Sequence, residues 1–325
     1  MNGRMQNLKI NIPSRIHLNL IAMHECDFRR NGGLGFSVDT GLVLYAEKIE
    51  RIKIDSTLPA LKSLTDRLEK QLLNIKNELK LNLGVHITLA NELPPHIGLG
   101  SGTSITLAAI EALLLINEYD YSVRELQKFS GRGGTSGVGI HSYFCGGFVC
   151  DLGVKANSEA HLPSSHTVPN EIPSLLFRND YPFGNIIYLY PKHEHKNHGV
   201  EEYNFFLDST PISDIEAYKA CYSSIFEVTA SLVDSDQQSF FRAIEKIKET
   251  KWKTLEVEHS GTISLRILSE LEHLNIAGFG MSSMGPGIFI LSEPDQQKLC
   301  KTVKKFNLTM TTLLPNNRGR TINYA

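Results

Sequence analysis

PPHIGLGSGTSITLAAIEALLLI, residues Pro94–Ile116, is the stretch on which the fold turns. Two prolines and a histidine end a preceding strand, and Gly98-Leu99-Gly100-Ser101-Gly102-Thr103-Ser104 then enters an apolar helix. A loop of this kind exposes backbone N–H groups at a helix N-terminus, where the macrodipole favours anions. Its glycines allow positive φ and let the backbone approach a phosphate closely. The stretch lacks the Gly-Lys-Ser/Thr ending of the Walker loop and the spacing of the dinucleotide fingerprint. Taken alone it fits a phosphate cradle or simple helix capping, so the rest of the chain has to discriminate.

Upstream, residues 8–21 form a strand interrupted at Pro13, with Arg15, His17 and Asn19 alternating against Ile16, Leu18 and Leu20. Period two puts the three polar side chains on one face, either solvated or lining a pocket. The run Arg29–Gly35, which holds Asn31, Gly32 and Gly33, has the residues of a tight turn or an anion-binding loop. Residues 41–54 suggest a strand pair or one long strand. Leucines and isoleucines from Leu61 to Leu79 recur at spacings of three and four, predicting an amphipathic helix that serves packing. Val85–Ala90 makes the strand that feeds the opening motif.

Downstream, Ser122 and Glu125 have capping-box spacing for a short helix. A second glycine-dense stretch, 131–153, carries Arg132, Gly133, Gly134 and Ser136 and runs into a strand ending at Asp151. Residues 154–183 lack periodicity and predict a long loop or junction. Asn185–Tyr190 reads as a strand. His193, His195 and His198 follow in a polar run that favours a solvated loop over a metal site. Ser213 with Glu216 opens a helix carrying Ile215, Tyr218, Tyr222 and Ile225 on one face, and helices follow near 237–249 and 261–273. The third glycine-rich stretch, Gly278–Gly287, holds Ser282, Ser283 and Gly285 and feeds a strand. A final helix (295–306), strand (308–314) and turn at Asn317-Arg318-Gly319 complete an α+β pattern.

The chain of 325 residues has room for two domains. Its 33 basic and 35 acidic residues give no bulk charge for nucleic acid or a membrane surface. The apolar run 105–116 is too short to span a bilayer and includes Glu111. Five widely spaced cysteines make neither a disulfide framework nor a zinc pattern. A cytoplasmic enzyme without nucleic-acid or membrane partners is the expectation, with a homodimer as the default assembly.

Three glycine motifs in this order resemble the GHMP superfamily. Pro13-Ser14-Arg15 is similar to its first motif, Pro95–Gly102 to its second and Gly280–Gly287 to its third. The resemblance implies a ribosomal-protein-S5-like α/β domain, placed at 1–160, and a ferredoxin-like α+β domain, placed at 161–325, with phosphates between them. GHMP kinases carry Pro-Ser-Gly-x-Asp in the middle region, and the aspartate serves the substrate hydroxyl. Here the aligned run is Thr135-Ser136-Gly137-Val138-Gly139, and glycine cannot accept a proton.

The chain more closely resembles the β-ribofuranosylaminobenzene 5′-phosphate synthase and C-nucleoside synthase family. The likeness rests on Gly131-Arg132-Gly133-Gly134, Ser282-Ser283-Met284-Gly285-Pro286, His198-Gly199-Val200-Glu201-Glu202 and Gly146–Asp151. The family usually has Trp at the place of Met284, and the run after His17 also departs from its pattern. The resemblance implies 5-phosphoribosyl 1-diphosphate (PRPP) as donor, an aromatic carboxylic acid as acceptor, and Mg²⁺ on the diphosphate. In this reading Gly98–Ser104 hold the donor's diphosphate or 5-phosphate, and Asn31, Gly32, Gly33 and Ser136 bind substrate. Arg132, Gly133 and Gly134 add phosphate contacts, and Ser282, Ser283 and Gly285 close the pocket. Arg15 and His17 hold the acceptor's carboxylate, and Asp151, Glu201 and Glu202 hold the metal. An ATP-dependent small-molecule kinase and a non-catalytic phosphate-binding module are the alternatives.

Overall fold

The computed structural model describes residues 7–324, apart from 91–92, 157–158, 165, 167–168, 170 and 193–197. The strands are β1 (Asn7–Asn11), β2 (Ser14–Ala22), β3 (Arg29–Asp39), β4 (Val43–Ile49), β5 (Lys53–Ser56), β6 (Gly84–Ala90), β7 (Phe148–Asp151), β8 (Val154–Lys155), β9 (Leu175–Asn179), β10 (Ile186–Pro191), β11 (Phe279–Met281), β12 (Ile288–Ile290), β13 (Leu308–Pro315) and β14 (Thr321–Tyr324). The helices are α1 (Lys62–Glu78), α2 (Ser101–Ile116), α3 (Val123–Ser130), α4 (Val138–Cys145), α5 (His198–Ser209), α6 (Asp214–Tyr222), α7 (Ala230–Val233), α8 (Gln237–Lys248), α9 (Lys251–Ser260), α10 (Thr262–His273) and α11 (Gln296–Lys305). A π-helical turn, Ser223–Thr229, joins α6 to α7.

One sheet has the order β14-β1-β4-β6-β5. The second runs β11-β12-β10-β13-β3-β7-β9, with β2 and β8 also paired to β3. The C-terminal strand thus closes the edge of the N-terminal sheet, Leu8 opposite Tyr324. β13 ties the last helix-strand unit to β3 at Leu314 opposite Asp39.

α2 is the apolar helix expected from the sequence, and nearly all of it is buried. Its side chains meet Ile10, Leu44 and Ile87 of the five-stranded sheet, Leu68 and Leu72 of α1, Leu126 of α3 and Tyr143 of α4 in one core. A surface helix needs one apolar stripe, and α2 is apolar all round because elements cover every side of it. Glu111 is the exception. Arg320 brackets its carboxylate with bonds of 2.7–3.0 Å, and the Tyr121 and Tyr143 hydroxyls donate to it at 2.6 and 2.5 Å. A buried charge persists when it is paired and hydrogen-bonded in this way.

The interrupted first strand, the pair at 41–54, the α1 amphipathic helix and the capping box at Ser122–Glu125 all form as the sequence implies. One expectation needs correcting. Arg29–Gly35 is part of the central strand β3, because its glycines admit close neighbours. A Cβ on Gly35 would lie 2.2 Å from the Ile16 carbonyl oxygen. The apolar residues Ile215, Tyr218 and Tyr222 point outward and are exposed, while Ala217 and Ala220 make the buried face of α6.

Candidate active site

Gly100 caps α2 in the left-handed conformation, φ 64°, and no side chain occupies the cap position. The first turn of a sixteen-residue helix is therefore without a side-chain cap, and the Thr103 N–H turns back to the Gly100 carbonyl at 3.2 Å. Nothing lies within 4 Å of the place a Cβ on Gly102 would take, so the loop has room at its open face. Arg15 of β2 lies across the loop. Its Nη1 donates to the Gly98 carbonyl at 2.7 Å, and a Cβ on Gly100 would stand 2.6 Å from its Cζ. Only glycine permits that approach at positive φ.

Arg132 reaches the same helix start from the other side. Its Nε donates to the Thr103 hydroxyl at 3.2 Å. Burial, with Arg67 and Arg15 acting against Glu202, lowers the Arg132 guanidinium to about 10. Arg15 is likewise lowered by burial, against the pull of Tyr188, Glu256 and Glu202. Two cations held at a cost to their own charge mark a site arranged for an anion. Gly139 faces Thr103 from the first turn of α4, with Thr103 Cγ2 3.5 Å from a Cβ placed on it. The position of the kinase aspartate thus carries no side chain, and the neighbouring charge is the Arg132 cation.

The loop between β11 and β12 closes the site from the second half of the chain. The Ser282 hydroxyl donates to the Gly98 carbonyl at 2.8 Å and accepts from the His17 N–H at 3.1 Å, while the Ser283 N–H donates to the His17 carbonyl at 2.9 Å. His17 is buried. Its Nε2 lies 3.3 Å from the Ser136 hydroxyl, which also lies 3.1 Å from Asp151 Oδ2. Burial, followed by the Arg15 and Lys253 cations, takes the His17 imidazole well below the usual histidine range. Gly33 is required beside this group, since a Cβ there would lie 2.7 Å from Ser136 Oγ and 2.8 Å from His17 Nε2.

Other predicted residues have structural roles. Asn31 donates its Nδ2 to the Gly134 carbonyl at 2.9 Å, and the Gly32 N–H donates to the Thr135 carbonyl at 3.1 Å, so β3 is stitched to the 131–137 stretch. Gly133 packs on Ile140, and Ser104 is enclosed within α2. Gly285 makes a turn against Met281 and Ser260.

The expected carboxylate trio does not assemble. The Asp151 carboxylate accepts from the N–H groups of Gly137 at 2.8 Å and Gly153 at 2.9 Å, from Ser136, and from the Gly33 backbone. Its lone pairs are committed to the protein, and burial still pushes it up to about 6. Asp151 therefore does not fit a metal ligand. Glu201 is exposed on the first turn of α5, and Glu202, half-buried beside it, acts electrostatically on both Arg15 and Arg132. No group of three or more metal-binding side chains forms among the described residues. His193 and His195 lie outside the described residues.

Sequence reasoning missed two parts of the site. Lys253 and Glu256 of α9 form a buried ion pair whose Nζ also lies 3.4 Å from the Met281 carbonyl. Their charges act on His17 and Arg15 respectively. His161, from the long loop, bonds Asn31 Oδ1 at 2.7 Å through Nδ1. Charged residues at irregular spacing and an aperiodic loop give no signal that either is buried.

Comparison with known proteins agrees with this architecture. Residues 64–146 match the GHMP kinases N terminal domain. A putative sugar kinase from Campylobacter jejuni shares the fold over the whole of both chains, with TM-score 0.66 at 14% identity. The chain is similar to two archaeal proteins named β-ribofuranosylphenol 5′-phosphate synthase. The one from Methanothermobacter thermautotrophicus is 28% identical over 293 residues, 88% of this chain and 89% of that protein. The one from Methanocaldococcus jannaschii is 28% identical over 297 residues, 87% of this chain and 89% of that protein. No helix among the described residues is long and apolar enough to cross a membrane.

Proposed function

We propose that this protein is a decarboxylative C-ribosyltransferase, joining PRPP to an aromatic carboxylic acid with release of diphosphate and CO₂. The observation that carries the reading is the charge at the α2 loop. Arg15 and Arg132 both lie against it, and Gly139 leaves no carboxylate opposite Thr103. A kinase needs a group to receive the substrate's hydroxyl proton. Displacement of diphosphate by an aromatic ring carbon instead needs stabilisation of the departing anion, orientation and exclusion of water.

In this reading the α2 amides and Arg132 hold the diphosphate as it gains charge. The guanidinium matches phosphate oxygens bidentately. Arg15 pairs with an anionic group at the Gly98 side. The ring carbon bearing the carboxylate attacks C1 of the ribose as the diphosphate leaves, and loss of CO₂ returns the bonding electrons to the ring. A β-ribofuranosylphenol product, as named for the relatives, arises in this way from a hydroxybenzoate, and an aminobenzoate gives the corresponding aniline. The donor enters as its Mg²⁺ complex, which needs few protein ligands because phosphates and water supply most of them. In this reading Glu202, whose charge acts on both Arg15 and Arg132, would face that complex.

The test is incubation with PRPP and a panel of aromatic acids, followed by mass spectrometry of the products. The reading predicts a C-riboside 5′-phosphate lacking the carboxyl group. ADP release from ATP with a hydroxylated acceptor, and no coupling from PRPP, would replace it with the kinase.

A further inference from the structure

The side chains of Asp151, Ser136 and His17 form a hydrogen-bonded chain whose direction is determined by its first member. Asp151 is a carboxylate that already accepts from the Gly137 and Gly153 N–H groups, so it accepts from Ser136 Oγ at 3.1 Å as well. Ser136 has one hydroxyl proton, and that bond uses it. Its oxygen then only accepts, from the Val138 N–H at 3.2 Å and from His17 Nε2 at 3.3 Å. His17 Nε2 must therefore carry the ring proton.

The imidazole is neutral, since burial and the cations Arg15 and Lys253 disfavour a second proton. Its Nδ1 is consequently a bare acceptor, buried and without a partner among the described residues. Two residues along the same strand, buried Asn19 donates Nδ2 to Thr250 Oγ1 at 3.1 Å and leaves its Oδ1 without a partner too. Buried acceptors are almost always satisfied, and each exception calls for an explanation. Both are acceptors, so what they lack is a donor. A carboxylate cannot supply one, which removes His17 from the role of carboxylate anchor expected from the sequence.

We propose that Asp151 and Ser136 are positioning residues that fix His17 as its Nε2–H tautomer, and that His17 Nδ1 selects aromatic acceptors carrying a hydroxyl or amino donor. The second half rests on the C-ribosyltransferase reading, and the first does not. A site built to hydrogen-bond a substrate donor rejects the analogue lacking it far more strongly than an apolar pocket rejects an extra group. His17 therefore sets acceptor specificity, and Gly33 is needed because any side chain there would displace the Ser136–His17 contact.

Two measurements on the intact protein test this. Long-range ¹H–¹⁵N correlation spectra of ¹⁵N-histidine-labelled protein should show His17 as the Nε2–H tautomer. Ser136→Ala should convert that signal to a mixture, and Ser136→Thr, which keeps the hydroxyl, should restore it. An Nδ1–H tautomer in the wild type, or the same tautomer in Ser136→Ala, overturns the positioning role. In calorimetry, wild-type protein should bind 4-hydroxybenzoate at least tenfold more tightly than 4-methoxybenzoate, and His17→Ala should reduce the ratio below threefold. Equal binding of the two by the wild type, or an unchanged ratio in His17→Ala, overturns the selecting role. Binding of neither acid counts against the C-ribosyltransferase reading and with it the selecting role, while the tautomer spectra still decide the positioning role.

Discussion

Replacing Arg132 with alanine should separate activity from stability, with opposite signs. The guanidinium is held at about 10, below its ordinary value, by burial and by Arg67 and Arg15. At 1.36 kcal/mol per pH unit the lowering corresponds to roughly 3 kcal/mol of unfavourable charging, and solvent at this half-buried group reduces it to about 2. A bound polyanion recovers that energy, and alanine forfeits it. Removing one charge-stabilising donor from a reacting site costs about 2–4 kcal/mol. The two routes agree on a loss of at least about 30-fold in kcat/KM, and the second extends it to roughly 900-fold. The same substitution relieves repulsion in the ligand-free protein and gives up a part-buried hydrogen bond from Arg132 Nε to Thr103. Thermal unfolding without ligand should therefore be unchanged or slightly raised. Steady-state kinetics with PRPP, paired with unfolding curves, make the comparison. A change in kcat/KM below threefold, or a fall in stability that parallels the fall in activity, would refute the assignment of Arg132 to the anion site.

Gly139→Asp should fold, because the atoms nearest its Cβ, those of Thr103, lie at ordinary contact distance, yet its carboxylate would pair with Arg132 and weaken PRPP binding at least tenfold by calorimetry. Arg320→Ala strands the Glu111 carboxylate in the α2 core and should cost about 3–5 kcal/mol in urea unfolding, whereas a loss under 1 kcal/mol would refute the bracketing of Glu111 by Arg320. His161 is lowered to about 4 by burial and by Arg30, so the native protein resists the proton that the unfolded chain accepts from about pH 6.5 downward. Stability from this group is complete above pH 6.5 and declines toward pH 4, by about 2 kcal/mol at pH 5. The stability gap between wild type and His161→Gln should shrink by that amount between pH 7 and 5, and a constant gap would show that His161 titrates normally.

What the sequence made legible follows from how each signal arises. α2, α1 and the Ser122–Glu125 cap were readable because apolar spacing and local capping act over a few residues. The glycine stretches announced close backbone approach without saying to what. Arg29–Gly35 therefore looked like a loop, whereas its glycines admit Ile16, His17 and Ser136 to a central strand. Glycine at 137 and 139 likewise hid α4. The exposed stripe Ile215, Tyr218, Tyr222 shows that periodicity identifies a helix face but not what covers it. Of the candidate site, Arg15, Arg132, the Gly98–Ser104 loop and Ser282 converge as their motifs implied. Asp151 does not act as a metal ligand, because its partners are backbone amides that no side-chain pattern reveals. The Lys253–Glu256 pair was invisible for the opposite reason, since charged residues in a helix ordinarily face solvent.

The most direct measurement follows CO₂ and diphosphate together. Purified protein, Mg²⁺ and PRPP are incubated with carboxyl-labelled 4-hydroxybenzoate, 4-aminobenzoate and a heteroaromatic acid, with ATP replacing PRPP in parallel. The account predicts equal amounts of labelled CO₂ and diphosphate from PRPP with at least one acid, and no ADP from ATP. Diphosphate release without CO₂, or ADP formation in the ATP arm alone, would contradict it.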